Sequence, residues 1–114
     1  MLTVYGIPNC DTVKKARTWL EQHDIAYNFH DYKKQGVPVA HLQRWLKQKG
    51  WEVIINRRGP TFRKIPAERT AQLDNTIALE LLQEFPSAIK RPIVEHGTVL
   101  LVGFDAADWQ QQLR

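Results

Sequence analysis

Within its first thirty residues the chain reads strand, helix, strand, and that order limits the folds open to it. Leu2 to Gly6 alternates small apolar and aromatic residues in the manner of a strand. Pro8 and Asn9 break it; then Val13, Ala16 and Leu20 recur at helical spacing while Lys15, Glu21 and Gln22 turn outward. Asp11 or Thr12 is the expected cap of that helix, and Asp24 its end. Ile25, Tyr27 and Phe29 alternate as a second strand. Two strands joined by one helix make a βαβ unit, which has parallel strands and a right-handed crossover.

The remainder is helical first and extended afterwards. After Gly36 and Pro38, the spacing predicts a helix with Val39, Leu42, Trp45 and Leu46 on its buried face, ended by Gly50. Trp51 to Pro66 carries no clear period, and Arg57-Arg58-Gly59-Pro60 is a predicted turn. A helix from about Asn75 to Glu84, capped by Asp74, turns Ile77, Ala78, Leu81, Leu82 and Phe85 inward. Ile93–Glu95 and Thr98–Val102 flank His96-Gly97 as a hairpin, and a last helix from Asp105 packs through Ala106, Trp109 and Leu113. The order β-α-β, helical middle, β-β-α predicts an α/β fold of thioredoxin-like type. Its centre is a mixed four-stranded sheet, and a helical segment of about 36–86 is inserted in a single domain, 1–114.

A chain of 114 residues supports one domain with a real core. Its longest aliphatic run, Val99 to Val102, is far short of the roughly 20 residues of a membrane span. Met1–Cys10 lacks the basic start and unbroken apolar stretch of a secretory signal, so the expected setting is the reducing cytoplasm. The formal charge of +4 is too small to name a nucleic-acid partner. His23, His30, His41 and His96 have no ligand spacing, and one cysteine builds no zinc cluster, so no metal site is expected. His30 with Asp31 is read as an ordinary polar strand end rather than an acid–base pair. The four tryptophans are read as packing. No glycine loop has phosphate-binding spacing.

Cys10 is the residue that most suggests chemistry. It stands between the first strand and the first helix, where unpaired backbone N–H groups favour a thiolate, and Lys14 and Lys15 follow within a turn. Burial as a small hydrophobe is the competing role, but loops at the carboxyl ends of parallel strands are where α/β proteins keep their sites. The motif Cys10-Asp11-Thr12-Val13 has no second cysteine, so any disulfide of Cys10 is intermolecular. That points to a monothiol mechanism resolved by a small thiol such as glutathione, whose carboxylates suit arginine. Arg58 and Arg91 are the candidates, Arg91 being held extended by Pro92.

Tyr5-Gly6-Ile7-Pro8-Asn9-Cys10 with Val13-Lys14-Lys15-Ala16-Arg17, Ile54-Ile55-Asn56-Arg57-Arg58, and Phe85-Pro86 with Lys90-Arg91-Pro92-Ile93-Val94 resemble the ArsC/Spx family of thioredoxin-fold proteins. The resemblance spans the chain, and the nearest subgroup is the YffB type, for which glutathione-dependent thiol reduction has been suggested. It implies Cys10 as nucleophile and a substrate or glutathione site drawn from Asn9, Thr12, Lys14, Arg58, Arg91 and Pro92. It also implies a cis Pro92, with Arg57 the neighbouring register for the middle arginine. No cofactor is implied beyond glutathione as co-substrate. Arsenate reductases of the glutaredoxin-linked type carry a further arginine after the last strand pair. Here Leu101-Val102-Gly103-Phe104 has none.

Three functions follow as expectations. The first is a glutathione-dependent monothiol reductase regenerated by glutathione or a glutaredoxin. The second is arsenate reduction, with Arg58 and Arg91 holding the oxyanion. The third is an Spx-like regulator that binds RNA polymerase, although the Cys-x-x-Cys switch common in such regulators is missing.

Overall fold

A computed structural model describes all residues from Met1 to Arg114. At its centre β1 (Leu2–Gly6) is hydrogen-bonded on both sides. It pairs in parallel with β2 (Tyr27–Asp31), from Leu2 opposite Tyr27 to Gly6 opposite Asp31. On its other side it pairs antiparallel with β3 (Ile93–His96), which pairs antiparallel with β4 (Val99–Val102). The order β2-β1-β3-β4 is the expected mixed four-stranded sheet.

The crossover from β1 to β2 is α1 (Asp11–Gln22), which buries Val13, Ala16 and Leu20 completely. Period-two alternation puts Leu2 and Val4 on one sheet face. Val4, Val94 and Leu101 then lie directly across three strands, which makes a continuous apolar row. Ala16, Leu20 and Trp109 join that row, Trp109 coming from α8 (Ala106–Leu113). Each large, fully buried side chain of this layer contributes about 1.5–3 kcal/mol, so the layer anchors α1 on the sheet through Ala16 and Leu20.

The chain divides into two compact units, Met1–Gly36 with Arg91–Arg114, and Val37–Lys90. The first also holds a single turn, α2 (Tyr32–Gln35), whose N-cap is Asp31, its side chain accepting from Lys33 N–H at 2.8 Å. In the second unit α3 (Val39–Lys49) buries Leu42, Trp45 and Leu46 and stops at Gly50, whose φ of +85° suits glycine. Three single turns follow, α4 (Trp51–Ile54), α5 (Pro60–Arg63) and α6 (Ala67–Thr70), and then α7 (Asn75–Glu84). Asp74 caps α7 by accepting from Ile77 N–H at 2.8 Å, and Ala78, Leu81 and Leu82 are its buried residues. Asn75 ties α7 to α3 and α4, accepting from Trp51 N–H at 3.0 Å and donating to the Leu46 carbonyl at 3.1 Å. Ile55 and Ile89 form an isolated antiparallel bridge.

Several sequence expectations shift on contact with the structure. Cys10, not Asp11 or Thr12, is the N-cap of α1. Val39 is exposed (43%), because it stands in the first turn of α3 before the buried stripe begins, and Ile77 and Phe85 are only half-buried. The hairpin turn lies one residue later than expected. His96 still pairs with Val99, so Gly97 and Thr98 make the connection, with Gly97 at φ +61°.

Candidate active site

Cys10 is placed by the two elements on either side of it. β1 ends at Gly6, and a Cβ there would lie 3.0 Å from Val13 Cγ2, so strand and helix approach closely just before the loop. The loop delivers Cys10 in extended geometry (φ −142°, ψ 124°), with its carbonyl accepting the first helical bond from Lys14 N–H at 2.9 Å. The amides of a first helical turn have no partner within the helix, and their dipoles favour a negative charge. The Cys10 thiol is half-buried beside them.

Its acidity is set by opposing effects. Burial pushes the thiol up, by penalising the thiolate. The Val13 N–H, the Arg91 guanidinium (by hydrogen bond and by charge) and the Thr12 N–H act the other way and prevail, holding the thiol below its ordinary value. The neutral sulfur makes no capping hydrogen bond of ordinary geometry, yet these donors are close enough to favour charge on it.

Arg91 arrives through sheet register. Tyr5 pairs with Ile93, which sets Pro92 level with Gly6 and Arg91 level with the start of the Cys10 loop. Pro92 is buried, follows a cis peptide bond, and its carbonyl accepts from Gly103 N–H at 2.8 Å. Arg91 itself is half-buried, where its charge is screened less than at the surface.

Of the other residues singled out from sequence, Thr12 contributes its backbone N–H, while the side chains of Asn9, Thr12 and Lys14 are exposed. Arg58 belongs to the unit Val37–Lys90, where it is exposed and its N–H donates to Asn56 Oδ1 at 3.3 Å. Neighbouring Arg57 lies over the Trp51 ring, with its Cζ 5.2 Å from the centroid. His30 and Asp31 do not pair: His30 Nε2 meets the Gly36 carbonyl at 2.8 Å, and Asp31 caps α2.

Two features escaped the sequence reading. The first is the Val13 amide, which any residue type would supply. The second is Arg17, seven residues after Cys10 and so two turns along nearly the same face of α1. Its guanidinium stacks 4.1 Å from the Phe29 centroid and donates to Tyr27 Oη at 3.0 Å. It lines a cavity of about 310 Å³ with Pro8, Phe29, Asp31 and Lys34. The i, i+7 spacing from Cys10 was the available signal. Tyr32 is also buried near this edge; burial, then the Tyr5 neighbour and Glu95, push its phenol up, and its hydroxyl has no hydrogen-bond partner.

Comparison with known proteins settles the lineage: the ArsC family model matches residues 5–112. The chain belongs to the ArsC family. A solved structure described as YFFB protein superposes with a TM-score of 0.97 at 47% identity, over 100% of both chains. The solution structure of an arsenate reductase (ArsC) related protein from Brucella melitensis gives a TM-score of 0.77 at 49% identity, covering 96% of this chain and 92% of that one. The global transcriptional regulator Spx of Listeria innocua is 32% identical over 92% of this chain and 81% of its own length. These likenesses confirm the ArsC-like, thioredoxin-type α/β fold. In this ArsC-family chain no three His, Cys, Asp or Glu side chains gather to hold a metal ion. No helix is long and apolar enough to cross a membrane.

Proposed function

We propose that this protein is a cytoplasmic monothiol reductase in which Cys10 attacks a mixed disulfide and glutathione restores it. The observation that carries the reading is the setting of the one cysteine, the half-buried N-cap of α1, whose thiol the Val13 amide and the Arg91 guanidinium hold below its ordinary value against burial. A thiolate is the attacking species in disulfide exchange, and a thiol poised nearer neutral pH reacts faster there. The Cys10 thiolate attacks one sulfur of the substrate disulfide, the sulfur–sulfur bond breaks, and the other half leaves as a thiolate that takes a proton from water. With glutathione as the captured half, a second glutathione attacks the Cys10–glutathione disulfide and releases oxidised glutathione and the Cys10 thiolate. The substrate disulfide is thereby reduced by two electrons and glutathione oxidised by two.

Arg91 stabilises charge on sulfur at attack and again at release, and Asn9, Thr12, Lys14 and Pro92 border the place where the second half must sit. The test is turnover of the mixed disulfide of glutathione and 2-mercaptoethanol, followed by NADPH consumption through glutathione reductase. Wild-type protein is expected to turn over and Cys10→Ser to be silent; equal rates in both overturn the reading. Arsenite release from arsenate with glutathione and glutaredoxin present would reassign the substrate to the oxyanion that the Brucella relative's name suggests.

The Spx relatives favour a second reading, a regulator of transcription acting through RNA polymerase. Retention of purified RNA polymerase by the immobilised protein, with no glutathione-linked turnover, would select it.

A further inference from the structure

One turn beyond Cys10, α1 borders a groove of about 420 Å³ that shares only Lys14 with the site proposed around the thiol. Its walls are Lys14, Lys15, Thr18 and Trp19 of α1 with Phe104 and Ala106 at the start of α8. Trp19 and Phe104 meet edge to face at 6.5 Å and both lean on buried Trp109, so the apolar floor is rigid. The rim is cationic. Neither Lys14 nor Lys15 is engaged in an ion pair or a side-chain hydrogen bond; exposed Asp11 stands one turn before them, and two other nearby acids are turned elsewhere. Glu21 accepts from Tyr27 Oη at 2.7 Å and Asp105 caps α8 through Asp108 N–H.

We infer that this groove receives a polypeptide segment of the partner that carries the reacting thiol, with acidic residues next to the cysteine and an apolar or aromatic residue beyond them. The spacing supports an extended chain. Lys14 lies about 6 Å along the helix axis from the N-cap, and Trp19 about 7.5 Å further. Each interval is roughly two residues of extended chain at about 3.3 Å per residue. Side chains on a helix tilt toward its N-terminus, so Lys14 leans back toward Cys10 and reaches the residues closest to the exchanging sulfur. Trp19 and Phe104 then take the apolar side chain. The inference deepens the reductase reading by naming the class of substrate, a protein thiol in acidic and apolar context, but the groove can be tested without any thiol.

The experiment is an NMR titration of the ¹⁵N-labelled full chain with a nine-residue peptide containing Glu-Asp followed by Leu-Phe, with serine in place of the cysteine. Saturable shifts are expected at the amides of Lys15, Thr18, Phe104 and Ala106 and at the Trp19 indole. A peptide with lysine in place of both acids should bind at least about tenfold more weakly, as should the acidic peptide to Lys15→Glu and Thr18→Glu. Both substitutions are on the exposed face of α1, and an unchanged urea midpoint together with wild-type-like dispersion of the remaining amide signals verifies that each variant is folded. Absence of saturable shifts, shifts confined to other residues, equal affinity for the lysine peptide, or glutathione alone perturbing the same signals overturns the inference. Because the probe has no sulfur, these outcomes are independent of whether Cys10 turns over a disulfide.

Discussion

Gly6→Ala probes the close approach that sets the Cys10 loop. The added Cβ would stand 3.0 Å from Val13 Cγ2 and 3.8 Å from Cγ1. Favourable carbon–carbon contacts begin near 3.5 Å, so roughly half an ångström must be found. Val13 is fully buried, and β1 is paired on both sides, so neither wall of the contact yields freely. Overpacking of this kind costs about 1–3 kcal/mol. The reduced freedom of alanine in the unfolded chain offsets about 0.4–1 kcal/mol of it. The expected net loss is about 1–2 kcal/mol, read as an earlier urea midpoint and a Tm lower by several degrees. Displacing Val13 also moves its amide from the sulfur, so the Cys10 thiol should titrate higher, as followed by thiolate absorbance against pH. The control is the same substitution in a Val13→Ala background. With the opposing methyl groups gone, Gly6→Ala should there become neutral or stabilising, a non-additivity that only contacting residues produce. Unchanged stability and an unchanged thiol titration for Gly6→Ala alone would refute the argument.

Arg91→Ala should raise the Cys10 thiol, because burial is then opposed by the backbone amides alone, and Arg91→Lys should restore part of the shift; a titration identical to wild type would remove Arg91 from the site. Cys10→Ser should give a stability curve against pH that crosses the wild-type curve. The folded thiol lies below its unfolded value of about 8.5, so the thiolate's contribution is complete above that pH and is lost as pH falls through the folded value. At low pH the serine hydroxyl caps α1 better than a neutral thiol, and the variant should lead by about 0.5–1 kcal/mol; parallel urea-derived curves would contradict both statements. Asp74→Ala removes the cap of α7 and should cost about 1 kcal/mol in urea unfolding, with the Cys10 titration unmoved.

Long periodic elements were legible from residues alone. Val13, Ala16 and Leu20 mark α1, and Leu42, Trp45 and Leu46 mark α3, because each spans enough turns for one face to declare itself. Tyr32–Gln35 and the turns between Trp51 and Thr70 are four residues each, barely one helical repeat, so no period recurs to be read. The Ile55–Ile89 bridge is a pairing between distant segments and leaves no local trace. The site divides in the same way. Cys10 was legible as a lone thiol at a strand-to-helix junction, and Arg91 through its proline and the resemblance around it. The Val13 amide was not, since it depends on where the helix begins rather than on which residue begins it. Arg17 stood in plain view, but a basic residue on a helix face is read as solvated unless its stacking partner, Phe29 on β2, is known.

The start of α1 joins stability and reactivity in one position. Serine, threonine, aspartate or asparagine at an N-cap would satisfy an orphan amide and stabilise the helix by about 1 kcal/mol. This chain places cysteine there, and the neutral thiol makes no such bond. The deficit is specific to the protonated form, since a charged sulfur is favoured by the Val13 and Thr12 amides that the helix leaves unpaired. The form of Cys10 that completes the cap is therefore also the form that the proposed reductase reading requires for attack on a disulfide. Half-burial matters here, because fuller exposure would let water screen Arg91 and fuller burial would raise the penalty on the thiolate that the two amides and the guanidinium oppose. Arg91 is supplied by the approach to β3 and the amides by α1, so the poise of the thiol depends on the two elements holding register across β1. A change in that packing, even one far from the sulfur, is thereby a change in the acidity of the thiol.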